Sequence, residues 1–214
     1  MNLRDEKNEV AYFIKRLYEQ RLTTTSGGNI SLRIGDDKIL ITPSALDKGR
    51  ISAEQIGVMA LSGENLTPHL KPSIEAGMHL AIYRRRSDIK AVVHAHPVTA
   101  TAFTLCPQQL NCHLVAESRA VLGQPVYAPY ALMGTTELAE IVADAVLQGD
   151  CILMANHGVL TVGRNLLEAF DRIEILEAAA HLTILTKFLG DVEELSPAEL
   201  AAIDALVGRS VTDR

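Results

Sequence analysis

The stretch IKAVVHAHP, residues 89–97, contributes most to the fold prediction for this chain of 214 residues. Its apolar and β-branched residues predict a short strand, and Pro97 stops or turns that strand. Because successive side chains of a strand point to opposite faces, His94 and His96 project from the same face and can bind one ion together. The alternative is that both histidines are ordinary polar residues at the end of a strand.

Helix and strand patterns alternate irregularly along the rest of the chain. Apolar residues at helical spacing and capping signals mark the helices, and runs of β-branched and apolar residues mark the strands. The predicted helices lie at residues 4–22, after Pro72 with Ser73 and Glu75 in the first turn, after Pro97, from about Thr135, at residues 165–189, and after Ser196, where Glu199 completes a capping box. The predicted strands are a hairpin within residues 32–42 that turns at residues 35–37, the stretch at residues 89–96, and CILMAN at residues 151–156. This mixture predicts an α/β fold in which helices cover a mixed sheet.

Composition and charge limit the possible classes of protein. The chain is 48% hydrophobic and 21% charged, and it shows neither a repeat nor a long linker, so one domain over residues 1–214 is expected. Its 20 Lys and Arg against 26 Asp and Glu give a net charge of −6, which disfavours general nucleic-acid binding. This balance still permits a small anionic substrate, which a few backbone N–H groups and hydroxyls can hold.

The location expected for the protein is the cytoplasm. No apolar run approaches the roughly 18–20 uncharged residues of a membrane span, and the first ten residues lack the apolar region of a signal peptide. The three cysteines, Cys106, Cys112 and Cys151, show no CxxC spacing, so we expect reduced thiols in or near the core.

His157 is the best candidate for a third metal ligand beside His94 and His96. It follows the buried strand CILMAN and precedes Gly158, where the chain can approach closely. Zinc and related divalent ions such as Co²⁺ or Mn²⁺ bind imidazole nitrogens readily, and a catalytic site uses three protein ligands and leaves one position open. The sequence therefore predicts a metal site of three histidines.

Glu75 and several loop residues are candidates for proton transfer and phosphate binding. Glu75 could coordinate the ion or move a proton, although pairing with a helix dipole is the simpler explanation. Gly28 and Asn29 lie in the loop TSGGNIS and can offer backbone N–H groups to an anion, unless the loop is merely a flexible turn. Ser44 and Ser73 add hydroxyls if their loops converge on the same place.

Six segments in this order, TSGGNIS, ITPS, KPSIEAGMH, AVVHAHP, APYALMGT and ANHG, extend over residues 25–158. Together they resemble the class II aldolase/epimerase family, which includes L-fuculose-1-phosphate aldolase and L-ribulose-5-phosphate 4-epimerase. The resemblance covers nearly the whole chain. It implies a three-layer α/β/α sandwich with a central, mostly antiparallel sheet, and a homotetramer with active sites at subunit interfaces.

The resemblance also implies roles for particular residues. The zinc ligands would be His94, His96 and His157, the acid/base residue would be Glu75, and the phosphate would lie at Gly28, Asn29, Ser44 and Ser73. The implied reaction is metal-assisted cleavage of the C3–C4 bond of a ketose 1-phosphate, which releases dihydroxyacetone phosphate and an aldehyde. Glu75 would protonate the three-carbon product.

Two departures from the pattern of fuculose-phosphate aldolases concern the substrate. Ile74 stands where those enzymes have a second serine, and the tyrosines that serve the aldehyde half are not matched, so Glu117 and Tyr127 are only candidates for that role. The phrase HAHPVTATAF is closer to aldolases acting on 5-deoxyribulose 1-phosphate or methylthioribulose 1-phosphate than to the epimerase.

Other functions stay open at this stage. Epimerisation, dehydration or decarboxylation of a sugar phosphate would use the same histidines, and a class I aldolase would use Lys71 as a Schiff-base lysine. A non-catalytic binding module like the adducin head domain belongs to a different class, since it needs no assembled acid/base and metal site.

Overall fold

The computed structural model describes residues 3–106 and 108–209, which form an α/β fold around one seven-stranded sheet. The helices are α1 (Leu3–Glu19), α2 (Ala76–Arg85), α3 (Val98–Ala102), α4 (Ala116–Leu122), α5 (Thr136–Ala145), α6 (Leu166–Leu189) and α7 (Pro197–Leu206). The strands are β1 (Asn29–Ile34), β2 (Lys38–Ile41), β3 (Gly57–Ala60), β4 (Ala91–Ala95), β5 (Val126–Ala128), β6 (Cys151–Met154) and β7 (Gly158–Gly163). None of these helices has the length and apolarity needed to cross a membrane.

The sheet has the order β3-β2-β1-β4-β7-β6-β5. Its neighbouring strands pair antiparallel except for β5 and β6, which are parallel. β4 therefore lies at the centre, between β1 and β7. This position buries every residue of β4, including His94.

Alternate residues of the strands belong to two separate hydrophobic clusters. In β4, Val93 packs in a cluster with residues of α1 and α6, while Val92 packs in a second cluster with residues of α2 and α5. The period-2 alternation of a strand explains this division, because neighbouring side chains leave opposite faces of the sheet. His94 has the parity of Val92, so it faces the side that carries α2.

Several predictions from the sequence are confirmed. The hairpin of β1 and β2 turns at residues 35–37, and Thr135 caps α5 by accepting a hydrogen bond from the backbone N–H of Leu138. Ser196 and Glu199 form the predicted capping box of α7, and Gly190 follows the last residue of α6 with a φ of 103°. The prediction missed β3, β5, β7 and α4, which are short or lack a clear period.

One helix begins later than predicted. Ser73 and Glu75 do not lie in the first turn of α2, because the helix starts at Ala76 with Glu75 as its N-cap residue. Pro72 instead forms an isolated bridge with Pro43, which holds this stretch in an extended conformation. The Ser73 hydroxyl accepts a hydrogen bond from the backbone N–H of Glu75, at 3.2 Å, and so turns the chain into the helix.

The cysteines are free, as expected, and two of the three are buried. Cys112 and Cys151 lie in the core, whereas Cys106 is exposed, so the prediction of a core or near-core position is wrong for Cys106. Cys106 follows the short helix α3 and lies in a bend outside the helices and strands.

Candidate functional site

The three predicted histidines meet at one end of the sheet. His94 is the fourth residue of β4 and pairs with Leu160 of β7, and His96 follows the end of the strand. His157 lies in the tight turn between β6 and β7, next to Asn156, whose φ of 53° is one that asparagine tolerates well. Each histidine offers a ring nitrogen, and these nitrogens all lie within 4.8 Å of one another. That spacing suits a single ion.

A backbone carbonyl selects the tautomer of His94. Its Nδ1 lies 2.8 Å from the carbonyl oxygen of Val159, which can only accept, so Nδ1 carries the proton. Nε2 is then left with a lone pair, and it is buried with no hydrogen-bond partner. A metal ligand needs this arrangement, in which one ring nitrogen is fixed by a hydrogen bond and the other is free to coordinate.

Glu75 lies against the same group of ring nitrogens. Its Oε2 is 3.3 Å from Nε2 of His94, and its Oε1 is 2.9 Å from Nε2 of His157. A carboxylate oxygen and the Nε2 lone pair of His94 are both acceptors, so they repel each other unless a cation or a proton lies between them. The residues present therefore fit a divalent cation, which could be held by His94, His96 and His157.

Burial sets the charge state of these groups. It lowers the pKa of His94, and it lowers that of His96 to about 3, so both rings are neutral near pH 7. Burial alone would raise the pKa of Glu75, but the neighbouring His94 and His157 rings and a hydrogen bond from Asn29 lower it well below its usual range. Neutral imidazoles beside a carboxylate form a donor set that a divalent cation can use.

The glycine loop lies directly against the histidines. A β-carbon on Gly28, whose φ is +64°, would come within 2.8 Å of the carbonyl oxygen of His94, and one on Gly27 would come within 3.2 Å of Nδ1 of His96. The backbone N–H of His96 also donates to the carbonyl of Leu22, just before the loop, at 3.0 Å. These glycines therefore permit a close approach between the loop and β4.

The residues predicted to bind phosphate lie on neighbouring segments. The backbone N–H of Ser44 donates to the carbonyl of Lys71, and its hydroxyl donates to the carbonyl of Pro72 at 2.9 Å, so Ser44 lies beside Ser73. The Asn29 side chain is already engaged, because its amide nitrogen donates to Glu75 at 2.7 Å and its oxygen lies 2.5 Å from the His79 ring.

Lys48 was not identified from the sequence, although it is the buried lysine of this region. It is only 2% exposed, its Nζ donates to the carbonyl of Pro43 at 3.0 Å, and its backbone N–H donates to the carbonyl of Thr25. Burial lowers its pKa to about 8. Lys71, the Schiff-base candidate, is exposed and so lacks the desolvation that activates such a lysine.

Two further candidates do not join the group of histidines. Tyr127 uses its hydroxyl to accept a hydrogen bond from the backbone N–H of Leu110, and Glu117 is exposed in the first turn of α4. Within residues 3–106 and 108–209, no hydrogen bond or ion pair joins either side chain to the three histidines. His79 is fully buried and bonded to Asn29.

Comparisons with known proteins agree with this geometry. Residues 8–184 match the family described as "Class II Aldolase and Adducin N-terminal domain". The chain is 36% identical to an L-fuculose phosphate aldolase of Methanococcus maripaludis over 169 residues, which are 79% of this chain and 91% of the relative. It is also 36% identical to a 3-oxo-tetronate 4-phosphate decarboxylase of Haemophilus influenzae over 173 residues, which are 78% of this chain and 81% of the relative.

A third relative and a solved structure match almost end to end. A 5-deoxy-D-ribulose 1-phosphate aldolase of Bacillus thuringiensis is 32% identical over 202 residues, which are 94% of each chain. The solved structure of an L-fuculose 1-phosphate aldolase superposes with a TM-score of 0.87 at 34% identity and covers 95% of this chain and 96% of its own. The chain therefore belongs to the class II aldolase and adducin family and has the α/β fold of that family.

Proposed function

We propose that this protein is a divalent-metal-dependent aldolase that cleaves a ketose 1-phosphate into dihydroxyacetone phosphate and an aldehyde. The observation that carries the proposal is the contact of the Glu75 carboxylate with Nε2 of both His94 and His157, beside a glycine loop suited to an anion. A binding module has no need to bury a carboxylate against the Nε2 lone pair of His94, because that arrangement costs free energy when no cation is bound.

The metal would be held by His94, His96 and His157. Zn²⁺ is the expected ion, and Co²⁺ or Mn²⁺ could replace it because they accept the same ligands. When bound, such an ion withdraws electron density from the ketose carbonyl and so favours cleavage of the bond between C3 and C4. The fixed Nδ1 proton of His94 keeps its Nε2 aimed at this place.

Glu75 would move the proton at C3. In the cleavage of the C3–C4 bond, the C4 hydroxyl loses its proton as the aldehyde forms, and C3 keeps the electron pair of the broken bond. The ionised carboxylate of Glu75 takes up the proton of the C4 hydroxyl and then gives it to C3, which completes dihydroxyacetone phosphate, so no proton is gained or lost overall. Its place beside His157 and its 6% exposure keep bulk water from competing for this transfer.

The phosphate would be bound by Gly28, Asn29, Ser44 and Ser73. The contacts of Ser44 with the segment before Ser73 support a shared pocket, and the close approach of Gly28 to His94 brings that pocket to the histidines. Because the Asn29 side chain is engaged with Glu75, its backbone N–H is the group we expect to contact the phosphate.

We also propose a homotetramer whose active sites lie at subunit interfaces, with one domain over residues 1–214. Exposed apolar side chains near the start of α2 support an interface there: Ile74 is 65% exposed, Leu132 60% and Met133 57%. An ion pair between Arg119 of α4 and Asp204 of α7 supports a single domain that includes the last helix.

Decarboxylation of a 3-oxo sugar-acid phosphate is the second candidate. The identity to the decarboxylase of Haemophilus influenzae equals that to the Methanococcus aldolase, which favours this alternative over epimerisation or dehydration. Both reactions leave a carbanion next to a carbonyl, so the same metal and the same Glu75 would serve either one.

The test is product analysis with defined substrates. The purified protein would be given the 1-phosphates of 5-deoxyribulose, methylthioribulose, fuculose and rhamnulose, and separately 3-oxo-tetronate 4-phosphate, with chelator and after addition of Zn²⁺, Co²⁺ or Mn²⁺. Release of dihydroxyacetone phosphate that the chelator stops and a metal restores is the expected result. Release of CO₂ alone would replace the proposal with the decarboxylase, and no turnover of any substrate would favour a binding module.

A further inference from the structure

A chain of buried hydrogen bonds leads from Glu75 away from the histidines and into the core. The amide nitrogen of Asn29 donates to Oε2 of Glu75 at 2.7 Å, and Oδ1 of Asn29 lies 2.5 Å from Nε2 of His79. Nδ1 of His79 lies 2.6 Å from the hydroxyl of Ser31, which lies 2.9 Å from the hydroxyl of Tyr83. The chain thus joins five side chains of β1, α2 and the residue that precedes α2.

These five side chains form a buried polar cluster between β1 and α2. His79 and Tyr83 are four residues apart and share one face of α2, and Glu75, the N-cap residue, continues that spacing one turn earlier. Asn29 and Ser31 are two residues apart and share one face of β1. None of the five is more than 6% exposed. Polar groups buried to this extent cost free energy unless they find partners. Each of the five side chains has at least one hydrogen bond to another of them, and Oε1 of Glu75, which faces His157, is the atom of this cluster that has none among the described residues.

The carboxylate fixes the direction of the first hydrogen bonds. An ionised Glu75 only accepts, so the amide of Asn29 must turn its NH₂ toward Glu75 and its oxygen toward His79. That oxygen only accepts, so Nε2 of His79 must carry the proton. Burial lowers the pKa of His79 to about 3, which keeps the ring neutral, so Nδ1 accepts from the hydroxyl of Ser31.

We propose that His79 is a positioning residue, which fixes the orientation of the Asn29 amide so that an N–H always faces Glu75 and holds the carboxylate at the metal-binding histidines. This inference rests on the proposed function of Glu75 as the group that moves a proton. His79 does not touch the substrate in this scheme. It acts through Asn29, and Ser31 acts through His79 by selecting the tautomer whose Nε2 donates.

Loss of the ring changes what Asn29 can do. In a His79→Leu protein, Oδ1 of Asn29 is buried without a donor, and the amide can rotate and present its oxygen to the carboxylate of Glu75. Two acceptors then face each other, and Glu75 turns away from His94 and His157. The three histidines keep their own contacts, because Nδ1 of His94 still donates to the carbonyl of Val159.

The experiment compares His79→Leu with His79→Gln and with a matched control, Ile82→Ala. Gln can still donate an N–H toward Asn29, whereas Leu cannot. Ile82 is fully buried on the same helix but belongs to the apolar cluster, so its replacement reports a general loss of packing. For each protein, kcat, KM and the affinity for Zn²⁺ would be measured, together with the Asn29 side-chain amide signals in a spectrum of protein labelled with ¹⁵N-asparagine.

We expect His79→Leu to lower kcat by about 10- to 100-fold, as losses of supporting residues around a metal site typically do, with KM and Zn²⁺ affinity nearly unchanged. The downfield amide proton of Asn29, identified by its absence in Asn29→Asp, should disappear in His79→Leu and persist in His79→Gln, which should also recover most of kcat. Ile82→Ala should keep both the signal and kcat.

Each other outcome counts against a positioning role. An unchanged kcat in His79→Leu, an unchanged Asn29 signal, or an equal loss in Ile82→Ala would overturn it. If His79→Leu does not fold, Ser31→Ala removes the donor to Nδ1 of His79 with a smaller change in structure. A lower kcat with a nearly unchanged KM is again expected. The Asn29 signal does not depend on turnover, so it tests the positioning even if the wild-type protein cleaves none of the ketose phosphates.

Discussion

Glu75 is the residue at which the proposed metal site meets the buried polar cluster between β1 and α2. Its two oxygens face ring nitrogens of His94 and His157, and one of them also accepts a hydrogen bond from Asn29. Near neutral pH the lowered pKa of His94 leaves no proton between Nε2 and the carboxylate. A divalent cation would remove the repulsion between these acceptors. In this scheme the histidines hold the metal and Glu75 moves the proton, and substitutions can distinguish the two roles.

Substitution of His157 and of Glu75 should have different consequences. His157→Ala removes one of three ligands, so Zn²⁺ should be lost on dialysis and activity with it. Glu75→Gln leaves all three histidines and should retain the metal, while kcat falls by about 10²- to 10⁴-fold because the amide cannot move a proton. Metal content and single-turnover rates measure the two effects.

A matched control for this pair is His181→Ala, which removes an exposed histidine on α6. That protein should keep both metal and turnover. Full activity in a metal-free His157→Ala protein would contradict the metal-dependent mechanism, and full activity in Glu75→Gln would remove Glu75 from it.

Ala45 adopts a backbone conformation that favours glycine, with a φ of 57°. An alanine there bears steric strain from its β-carbon, which glycine relieves, although glycine also adds entropy to the unfolded chain. We expect Ala45→Gly to raise the free energy of unfolding by about 0.5–1 kcal/mol, measured by urea denaturation of the metal-free protein.

Gly28→Ala is the opposite case. Its β-carbon would lie 2.8 Å from the carbonyl oxygen of His94, so this substitution should lower the free energy of unfolding in the same measurement.

At the scale of elements, long or well-capped segments could be predicted and short ones could not. α6 and α7 have clear caps, so both ends of α6 and the start of α7 were predicted closely. β7 is apolar on both faces because helices cover the sheet from both sides, and an apolar run without alternation does not distinguish strand from helix. The start of α2 was misplaced because a tertiary contact, the bridge between Pro43 and Pro72, delays the helix.

Ion pairs of Asp204 help to attach α7 to α4, so this attachment should depend on pH. Nε of Arg119 donates to Asp204 at 2.9 Å, and this hydrogen bond lowers the pKa of Asp204 together with the charges of Arg119 and Arg209. Because the folded pKa lies below the unfolded value of about 3.9, the pair stabilises the docked helix above that pH, and the stability is lost as the pH falls through the folded pKa.

Hydrogen exchange of residues 197–206, corrected for intrinsic rates, measures this effect. Protection of α7 should decrease below about pH 4, before the strands of the sheet lose theirs. In Arg119→Met, protection should already be lower at pH 7 and should change less with pH in this range, because Arg209 still pairs with Asp204. Equal protection of α7 in both proteins at neutral pH would show that the ion pair does not hold the helix.

For the whole molecule, the sequence indicated which residues could do chemistry but not how they meet. His94 and His96 are linked by strand spacing, whereas Glu75 and His157 are 82 positions apart and meet only through the order of β1, β4 and β7 in the sheet. The family resemblance, rather than the residue spacing, predicted that these residues form one site. The burial of Lys48 could not be predicted, because a buried lysine has no sequence pattern of its own.

The convergence of distant segments on one ion should make the stability of the whole protein depend on metal. Ligands from β4 and from the turn between β6 and β7 come together only in the folded state, so an ion that binds there stabilises it by RT ln(1 + [M]/Kd), about 2.7 kcal/mol at one hundred times Kd. For a chain of this size that corresponds to a rise in Tm of about 5–10 °C. Thermal unfolding with chelator and with added Zn²⁺ would show the rise, and Mg²⁺, which prefers oxygen ligands, should not produce it. His157→Ala should unfold at the same temperature in both conditions, and an equal Zn²⁺ shift in that variant would place the binding site elsewhere.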